Sequence, residues 1–211
     1  MQDIVFTLLV LIFSVILHEV AHGYMANWLG DPTARLAGRL TLNPLKHIDP
    51  IGSVLLPGIL ALTHSPMLIG YAKPVPYNPY NLQSKYGETL VAGSGPAVNI
   101  LLALLFGLST RLFGAQMGQG MFEAFVLITY INIVLAIFNL IPIPPLDGSK
   151  VLSGILPEPL ARGYDIFRTA FERLGTLQGT LVLLLIFYYV LSPVFSPVVR
   201  TLLALITGYS F

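Results

Sequence analysis

Long apolar runs dominate this chain of 211 residues and restrict the folds open to it. Hydrophobic residues make up 55% of the sequence and charged residues only 10%, a balance that ordinary soluble domains do not show. We therefore expect an all-α, multi-pass membrane protein, because helices satisfy their own backbone polar groups in lipid. Four runs approach the length of a membrane-spanning helix: residues 4–17, 90–108, 124–141 and 177–191.

The runs predict a single integral membrane domain over residues 1–211. Its core is expected in residues 1–152, followed by a connector and the last span in 153–211. No basic residue precedes the first run, so we expect it to stay in the mature chain rather than be removed as a signal peptide. The prolines in "LSPVFSPVV" leave open whether residues 177–206 form one bent span or a hairpin.

Composition also excludes several kinds of chemistry and partner. The chain has no cysteine, so it has no disulfide framework, no thiolate metal site and no cysteine nucleophile. A net charge of +1 without a basic cluster argues against a nucleic-acid partner. The lipid bilayer is the expected environment.

The short apolar segment 51–62 determines the predicted topology. As a helix it would rise only about 18 Å, against a hydrocarbon core of about 30 Å, so we predict a re-entrant helix that does not cross. The two long connections then lie on one side with nine basic residues, while two lie on the other, which predicts a cytoplasmic location for the connections. The nine are Arg35, Arg39, Lys46, Lys73, Lys85, Lys150, Arg162, Arg168 and Arg173, and the two are Arg111 and Arg200.

Three connecting segments have recognisable patterns. Residues 38–44, "GRLTLNP", and 69–77, "IGYAKPVPY", are predicted as short strands at the membrane surface, where they could hold an unwound substrate as an added strand. Residues 160–175 place apolar and charged side chains on opposite helical faces, which predicts an amphipathic helix connecting spans at the membrane surface.

The motif "HEVAH" places three ionisable side chains at the end of the first apolar run. Such groups are costly in hydrocarbon and usually mark function. His18 and His22 are four residues apart, so on a helix they share one face and can bind one metal ion. Glu19 lies beside them, where it can act as a general base toward a water molecule.

A catalytic zinc ion typically needs a third protein ligand. The pattern HExxHxxGxxH fails, because Met25 and Trp28 occupy its last two positions. Asp147 is the best remaining acid: it follows the third apolar run, after prolines that end the helix and before Gly148, which permits a sharp turn. By the predicted topology, Asp147 lies on the same side of the membrane as His22.

Three motifs together resemble the site-2 protease family of intramembrane zinc metalloproteases. They are "HEVAHG" on the first span, "GSGPAVNILLA" on the second and "FNLIPIPPLDG" on the third. The resemblance is to the minimal members, which lack PDZ and CBS domains.

The resemblance implies one zinc ion per chain, bound by His18, His22 and Asp147. It implies that Glu19 is the general base and that Asn139 helps to stabilise the oxyanion. The implied activity is hydrolysis of peptide bonds within or beside membrane spans, in regulated proteolysis of single-pass proteins or signal-peptide remnants. The implied place is the cytoplasmic membrane, with the active site toward the cytoplasm.

Two other functions remain open from the residues alone. A metal transporter or metal-dependent scaffold could use the same ligands, but only a hydrolase needs Glu19 as a base that does not bind the metal. A catalytically inactive relative is disfavoured because all expected catalytic positions are filled. Asn99 could pack helices or approach the site, and His47 is expected at the surface, with at most a supporting role near the metal.

Overall fold

The computed structural model describes residues 4–49 and 73–209, and in these ranges the chain is helical. Short 3-10 turns and one π-helical turn, Phe187–Leu191, link the longer helices. The expected all-α class is confirmed. The helices are α1 (Ile4–Trp28), α2 (Thr33–Leu36), α3 (Gly87–Phe113), α4 (Gln119–Asn139), α5 (Asp147–Ile155), α6 (Glu158–Glu172), α7 (Gly175–Ile186) and α8 (Ser192–Thr207).

In residues 4–49 and 73–209, four helical stretches are long and apolar enough to cross a membrane. Three contain α1, α3 and α4, and the fourth runs without a break through α7 and α8, over Gln178–Thr207. The last apolar region is therefore one span and not a hairpin. The π-helical turn shifts the hydrogen-bond register just before Pro193, which then occupies the first turn of α8, where its missing N–H is tolerated.

Helix α3 lies at the centre and packs against α1, α4, α5 and α8. Small and polar residues dominate its buried positions, which lets neighbouring helices approach closely where lipid provides no hydrophobic driving force between them. Ala103 of α3, Ile133 of α4 and Leu203 of α8 form the apolar contact on the side away from α5.

The turn between α4 and α5, residues 140–146, is fixed from two directions. Leu146 packs with Phe171 of α6 and Leu183 of α7 in one buried cluster. On the other side, the Cα of Gly148 lies so close to the carbonyls of Leu140 and Ile141 that a Cβ would collide with them. The turn therefore places Asp147, the first residue of α5, in a defined position.

The amphipathic segment forms α6, as predicted. Phe171 is only 8% exposed, while Leu160 and Phe167 are 61% and 46% exposed, which leaves much of the apolar face available to lipid. The Tyr164 hydroxyl donates a hydrogen bond of 2.9 Å to the Pro142 carbonyl. Helix α6 thus braces the turn that carries Asp147, in addition to connecting two spans.

The predicted strand at residues 38–44 is wrong, because local turns use its polar groups. The backbone N–H of Arg39 bonds to the Ala34 carbonyl, and the Asn43 side chain accepts from the Leu45 N–H to start a 3-10 turn. Residues 73–77 do not form a strand either. Their hydrogen bonds go to separate partners instead: the Val75 N–H donates to the Glu19 carboxylate at 2.9 Å, and the Lys73 N–H donates to the His47 carbonyl at 2.9 Å.

Two predictions fall wholly or partly outside the described residues. The re-entrant helix at 51–62 lies in that part of the chain, and so do residues 69–72 of the second predicted strand.

The close approach at Gly148 makes a testable prediction about stability. Gly148→Ala forces a methyl group against two carbonyls and is expected to destabilise the protein by about 1–3 kcal/mol, as overpacking does. Gly163→Ala in α6 is the matched control, because a Cβ there meets nothing within 4 Å. Thermal unfolding in detergent should show a lower midpoint for Gly148→Ala alone; equal midpoints would contradict the tight turn.

Candidate metal centre

Helix α1 presents two histidines on one face, as the spacing predicts. The rings of His18 and His22 lie edge to face with their centroids 4.7 Å apart. Both are buried inside the protein, at 5% and 9% exposure, although they belong to a membrane-spanning helix. They face the other helices rather than the lipid.

Asp147 completes the group that the sequence predicted. Its Oδ2 lies 3.1 Å from Nε2 of His18 and 3.3 Å from Nε2 of His22. All three potential ligand atoms lie within 4.8 Å of one another. Residues separated by up to 129 positions in the chain thus converge on one point, beside which a single metal ion could bind all three.

The other nitrogen of each ring has an acceptor of its own. Nδ1 of His18 donates to Oδ1 of Asn99 at 2.6 Å, and Nδ1 of His22 donates to the Val91 carbonyl at 2.7 Å. A neutral imidazole has one N–H, so both Nε2 atoms keep a lone pair. This tautomer is the one that can bind a metal through Nε2.

Gly95 of α3 provides the space for the ligand atoms. A Cβ at this position would lie 2.5 Å from Nε2 of His22 and 2.6 Å from Nε2 of His18. Because position 95 is a glycine, α3 adds no side chain next to the two lone pairs. Two neutral imidazoles and a carboxylate beside such a space fit a catalytic zinc ion, which uses three protein ligands and keeps one position open.

Asp147 carries the charge that a ligand needs. Burial by itself would raise its pKa, but a proton shared with Nε2 of His18 or His22, which a bound metal ion would replace, outweighs burial and holds the pKa of the Asp147 carboxyl well below its ordinary value. The carboxylate is thus ionised at neutral pH.

The metal group opens onto a cavity of about 200 Å³, which also contains both predicted catalytic side chains, Glu19 and Asn139. One oxygen of Glu19 accepts the Val75 N–H, so the carboxylate is held in place by the extended segment across the cavity. Asn139 uses one amide N–H internally, donating to the Leu135 carbonyl at 2.9 Å. Asn139 lines the cavity, and its second N–H has no acceptor in the described part of the chain.

Two further polar residues of the cavity were missed in the sequence. The Lys150 ammonium donates to the Tyr77 hydroxyl at 2.8 Å, and both side chains line the cavity wall. Burial opposes the charge of Lys150, but Tyr77, Glu88 and Asp147 outweigh it and raise the pKa of the ammonium. The spacing of three residues from Asp147 on a helix could have indicated Lys150, whereas nothing local indicates Tyr77.

His47 does not belong to this centre. It is 3% exposed, contrary to the expected surface position, and its Nε2 donates to the Thr41 carbonyl at 2.8 Å. Its contacts in the described residues stabilise the turn after α2.

Four apolar helices around a group of metal-binding side chains define the class: a multi-pass membrane protein with a metal centre between its spans. The model of peptidase family M50 matches residues 108–186. YwhC of Bacillus subtilis is 37% identical over 160 residues, which cover 72% of this chain and 69% of YwhC. Rip2 of Mycobacterium tuberculosis (strain Erdman) is 30% identical over 173 residues, covering 79% of this chain and 66% of Rip2.

A more distant relative is MJ0392 of Methanocaldococcus jannaschii, 25% identical over 150 residues that cover 71% of this chain and 34% of MJ0392. The names of all three relatives contain the words zinc metalloprotease. No solved structure matches the chain significantly. The chain belongs to peptidase family M50, the site-2 protease family, and is a zinc metalloendopeptidase. The predicted family, enzyme class and metal are confirmed.

The space beside Gly95 can be tested directly. Gly95→Ala puts a methyl group between the two Nε2 atoms, so we expect zinc affinity to fall on the order of tenfold or more, a loss typical of a disturbed metal site. Gly93→Ala in the same helix is the control, because its new Cβ would lie 3.9 Å from its nearest neighbour, Val151. Chelator competition on purified protein gives both affinities. Unchanged affinity in Gly95→Ala would place the metal elsewhere.

Proposed function

We propose that this protein is an intramembrane endopeptidase that hydrolyses peptide bonds within or next to membrane spans, with zinc bound by His18, His22 and Asp147. The position of the ligands is the observation that carries the proposal. His22 lies six residues before the end of α1, about 9 Å along the helix, so the metal group lies below the membrane surface. A protease that cleaves only soluble chains does not need its metal ligands below the membrane surface.

The residues of the cavity suit hydrolysis. A zinc ion held there supplies a Lewis acid and activates water near neutral pH. Glu19 is the proposed general base, which takes the proton of the attacking water and passes it to the leaving amine. The Val75 N–H holds one of its oxygens and so orients the carboxylate. Asn139 is proposed to donate its second amide N–H to the oxyanion.

The chemistry of the reaction supports an unwound substrate. A helical span keeps its peptide groups in its own backbone hydrogen bonds. We therefore propose that a membrane span loses its helical form locally, which exposes its amide bonds to the metal group and to Glu19. We propose single-pass membrane proteins or signal-peptide remnants as the substrates, cleaved in regulated intramembrane proteolysis.

The charge distribution supports a cytoplasmic active site in the cytoplasmic membrane. Arg111 donates to the Leu205 carbonyl at 2.6 Å, so it lies beside the end of α8. Lys150, by contrast, lines the metal cavity. With the four spans of the described residues, and with segment 51–62 taken as not crossing, the nine basic residues on the side of the cavity then face the cytoplasm and the two on the other side face outward.

We also propose that residues 1–211 act as one domain, with a core in 1–152 that contains every metal ligand. The part from 153 to 211 supports this core rather than forming a separate unit. Phe171 and Leu183, which belong to this part, pack on Leu146 directly before the proposed ligand Asp147.

The proposed roles of Glu19 and Asp147 predict different effects of substitution on zinc content and on activity. Glu19→Gln is expected to retain zinc and lose about 10²- to 10⁴-fold in kcat, because the base is gone and the ligands remain. Asp147→Ala is expected to lose both zinc and activity. Cleavage of a single-pass model substrate in proteoliposomes and zinc analysis measure the two properties.

Glu123→Gln is the matched control for Glu19→Gln, since Glu123 is exposed at the start of α4 and bonds only to Gln119 among the described residues. It should behave as wild type. Full activity in Glu19→Gln would remove the base from the proposal, and full zinc in Asp147→Ala would require another third ligand.

The natural absence of cysteine allows a clean test of topology. Single cysteines at Gly118 and Gly163 meet no neighbouring atoms, so Gly118→Cys and Gly163→Cys should both fold. A membrane-impermeant thiol reagent is expected to label Gly118→Cys in intact cells and Gly163→Cys only after the membrane is opened. The reverse pattern would place the active site on the outer side.

A further inference from the structure

Three polar side chains are buried on the Nδ1 side of His18, away from Asp147. Asn99 of α3 and Asn132 of α4 have no exposed surface, and Ser14 of α1 is 4% exposed. All three lie in membrane-spanning helices. Buried polar groups are costly unless they are hydrogen-bonded, and in a membrane they usually mark function. No motif in the sequence includes Asn132 or Ser14.

These side chains form a continuous chain of hydrogen bonds that ends on His18. The amide nitrogen of Asn132 donates to the Ile128 carbonyl at 2.9 Å and to the Ser14 hydroxyl at 3.0 Å. The amide oxygen of Asn132 accepts from Nδ2 of Asn99 at 2.8 Å. The amide oxygen of Asn99 in turn accepts from Nδ1 of His18 at 2.6 Å.

The direction of this chain follows from its first member, because a main-chain carbonyl can only accept. The Asn132 side-chain atom that contacts the Ile128 carbonyl must therefore be the amide nitrogen. The amide oxygen of Asn132 then faces Asn99. Asn99 must then donate to Asn132 and turn its own oxygen toward His18. The proton of His18 must consequently lie on Nδ1, which leaves the lone pair on Nε2.

We infer that Asn132 is a positioning residue that sets, through Asn99, the tautomer of His18 in which Nε2 is free to bind the metal. The inference rests on the proposed ligand role of His18. His22 reaches the same tautomer directly, since its Nδ1 donates to the Val91 carbonyl. One ligand is thus oriented by the main chain of α3, and the other by side chains from three spans.

Among the described residues, Asn99 Nδ2 has two acceptors, the amide oxygen of Asn132 at 2.8 Å and the main-chain carbonyl of Ser14 at 3.5 Å. Loss of Asn132 removes the shorter and stronger of these two bonds and leaves only a long contact to hold Asn99. The amide of Asn99 can then rotate and present its N–H to His18, which moves the imidazole proton to Nε2 and blocks metal binding. An ionised aspartate at position 99 has two acceptor oxygens, so rotation of its carboxylate cannot present a donor to His18. Asn132 should therefore matter for zinc binding in the natural protein and hardly matter in an Asn99→Asp background.

The test measures zinc affinity by chelator competition for Asn132→Leu, Asn99→Asp and the double variant, each as the purified full chain. Asn132→Leu is expected to weaken zinc binding about tenfold or more, the range for residues that orient metal ligands. In the Asn99→Asp background the same change should cost roughly threefold or less, a coupling that a double-mutant cycle detects. An equal loss in both backgrounds would show that Asn132 acts through packing and would overturn the inference.

Thr129→Val is the matched control. Thr129 is fully buried one turn before Asn132 on α4, but its hydroxyl donates only to the Phe125 carbonyl among the described residues. Zinc affinity equal to wild type supports the inference, whereas a loss like that of Asn132→Leu overturns it, because any buried polar group of α4 would then matter.

A second measurement does not depend on the variants folding. In wild type labelled with ¹⁵N at histidine, His18 is expected to carry a proton on Nδ1 whether or not Nε2 shares a proton with Asp147, and an Nδ1 atom without a proton overturns the inference. His18→Ala tests the underlying ligand role separately. If that variant binds zinc as wild type does, the proposed site fails. If it loses zinc while Asn132→Leu does not, only the tautomer inference fails.

Discussion

The convergence of two imidazole nitrogens on one carboxylate oxygen, inside the membrane-spanning helices, is the interaction on which this structure depends. Nε2 of His18 and His22 lie 3.1 Å and 3.3 Å from Oδ2 of Asp147. Three ionisable groups packed among apolar helices are tolerable only when they are paired or bind a metal. The packing of α3 follows from this requirement, because Gly95 must carry no side chain where the ligand atoms meet.

The parts of the fold outside the core hold Asp147, the proposed third ligand, in place. Asp147 directly follows a turn, and turns are less rigid than helices unless other elements pack on them. Leu146 fills an apolar cluster with Phe171 and Leu183, while the Tyr164 hydroxyl bonds to the Pro142 carbonyl. The amphipathic helix and the last span therefore contribute to the metal centre although they provide none of its ligands.

Local sequence patterns predicted whatever depends on neighbours in the chain. Helical spacing placed His18 and His22 on one face, and apolar runs predicted the four spans. The same kind of argument failed at residues 38–44, where alternation suggested a strand. Side-chain caps and turns around Asn43 satisfy the backbone there instead, and alternation alone carries no information about such competing bonds.

The sequence by itself determined the membrane class, the family, the metal and the residues that could bind it, because each depends on composition or on short motifs. Only the tertiary structure decided that the last apolar region is one span, that Lys150 and Tyr77 line the cavity, and that Asn132 connects to His18 through Asn99. Those features depend on which helix faces meet. In a membrane, where lipid is as apolar as the core, hydropathy does not distinguish one face from another.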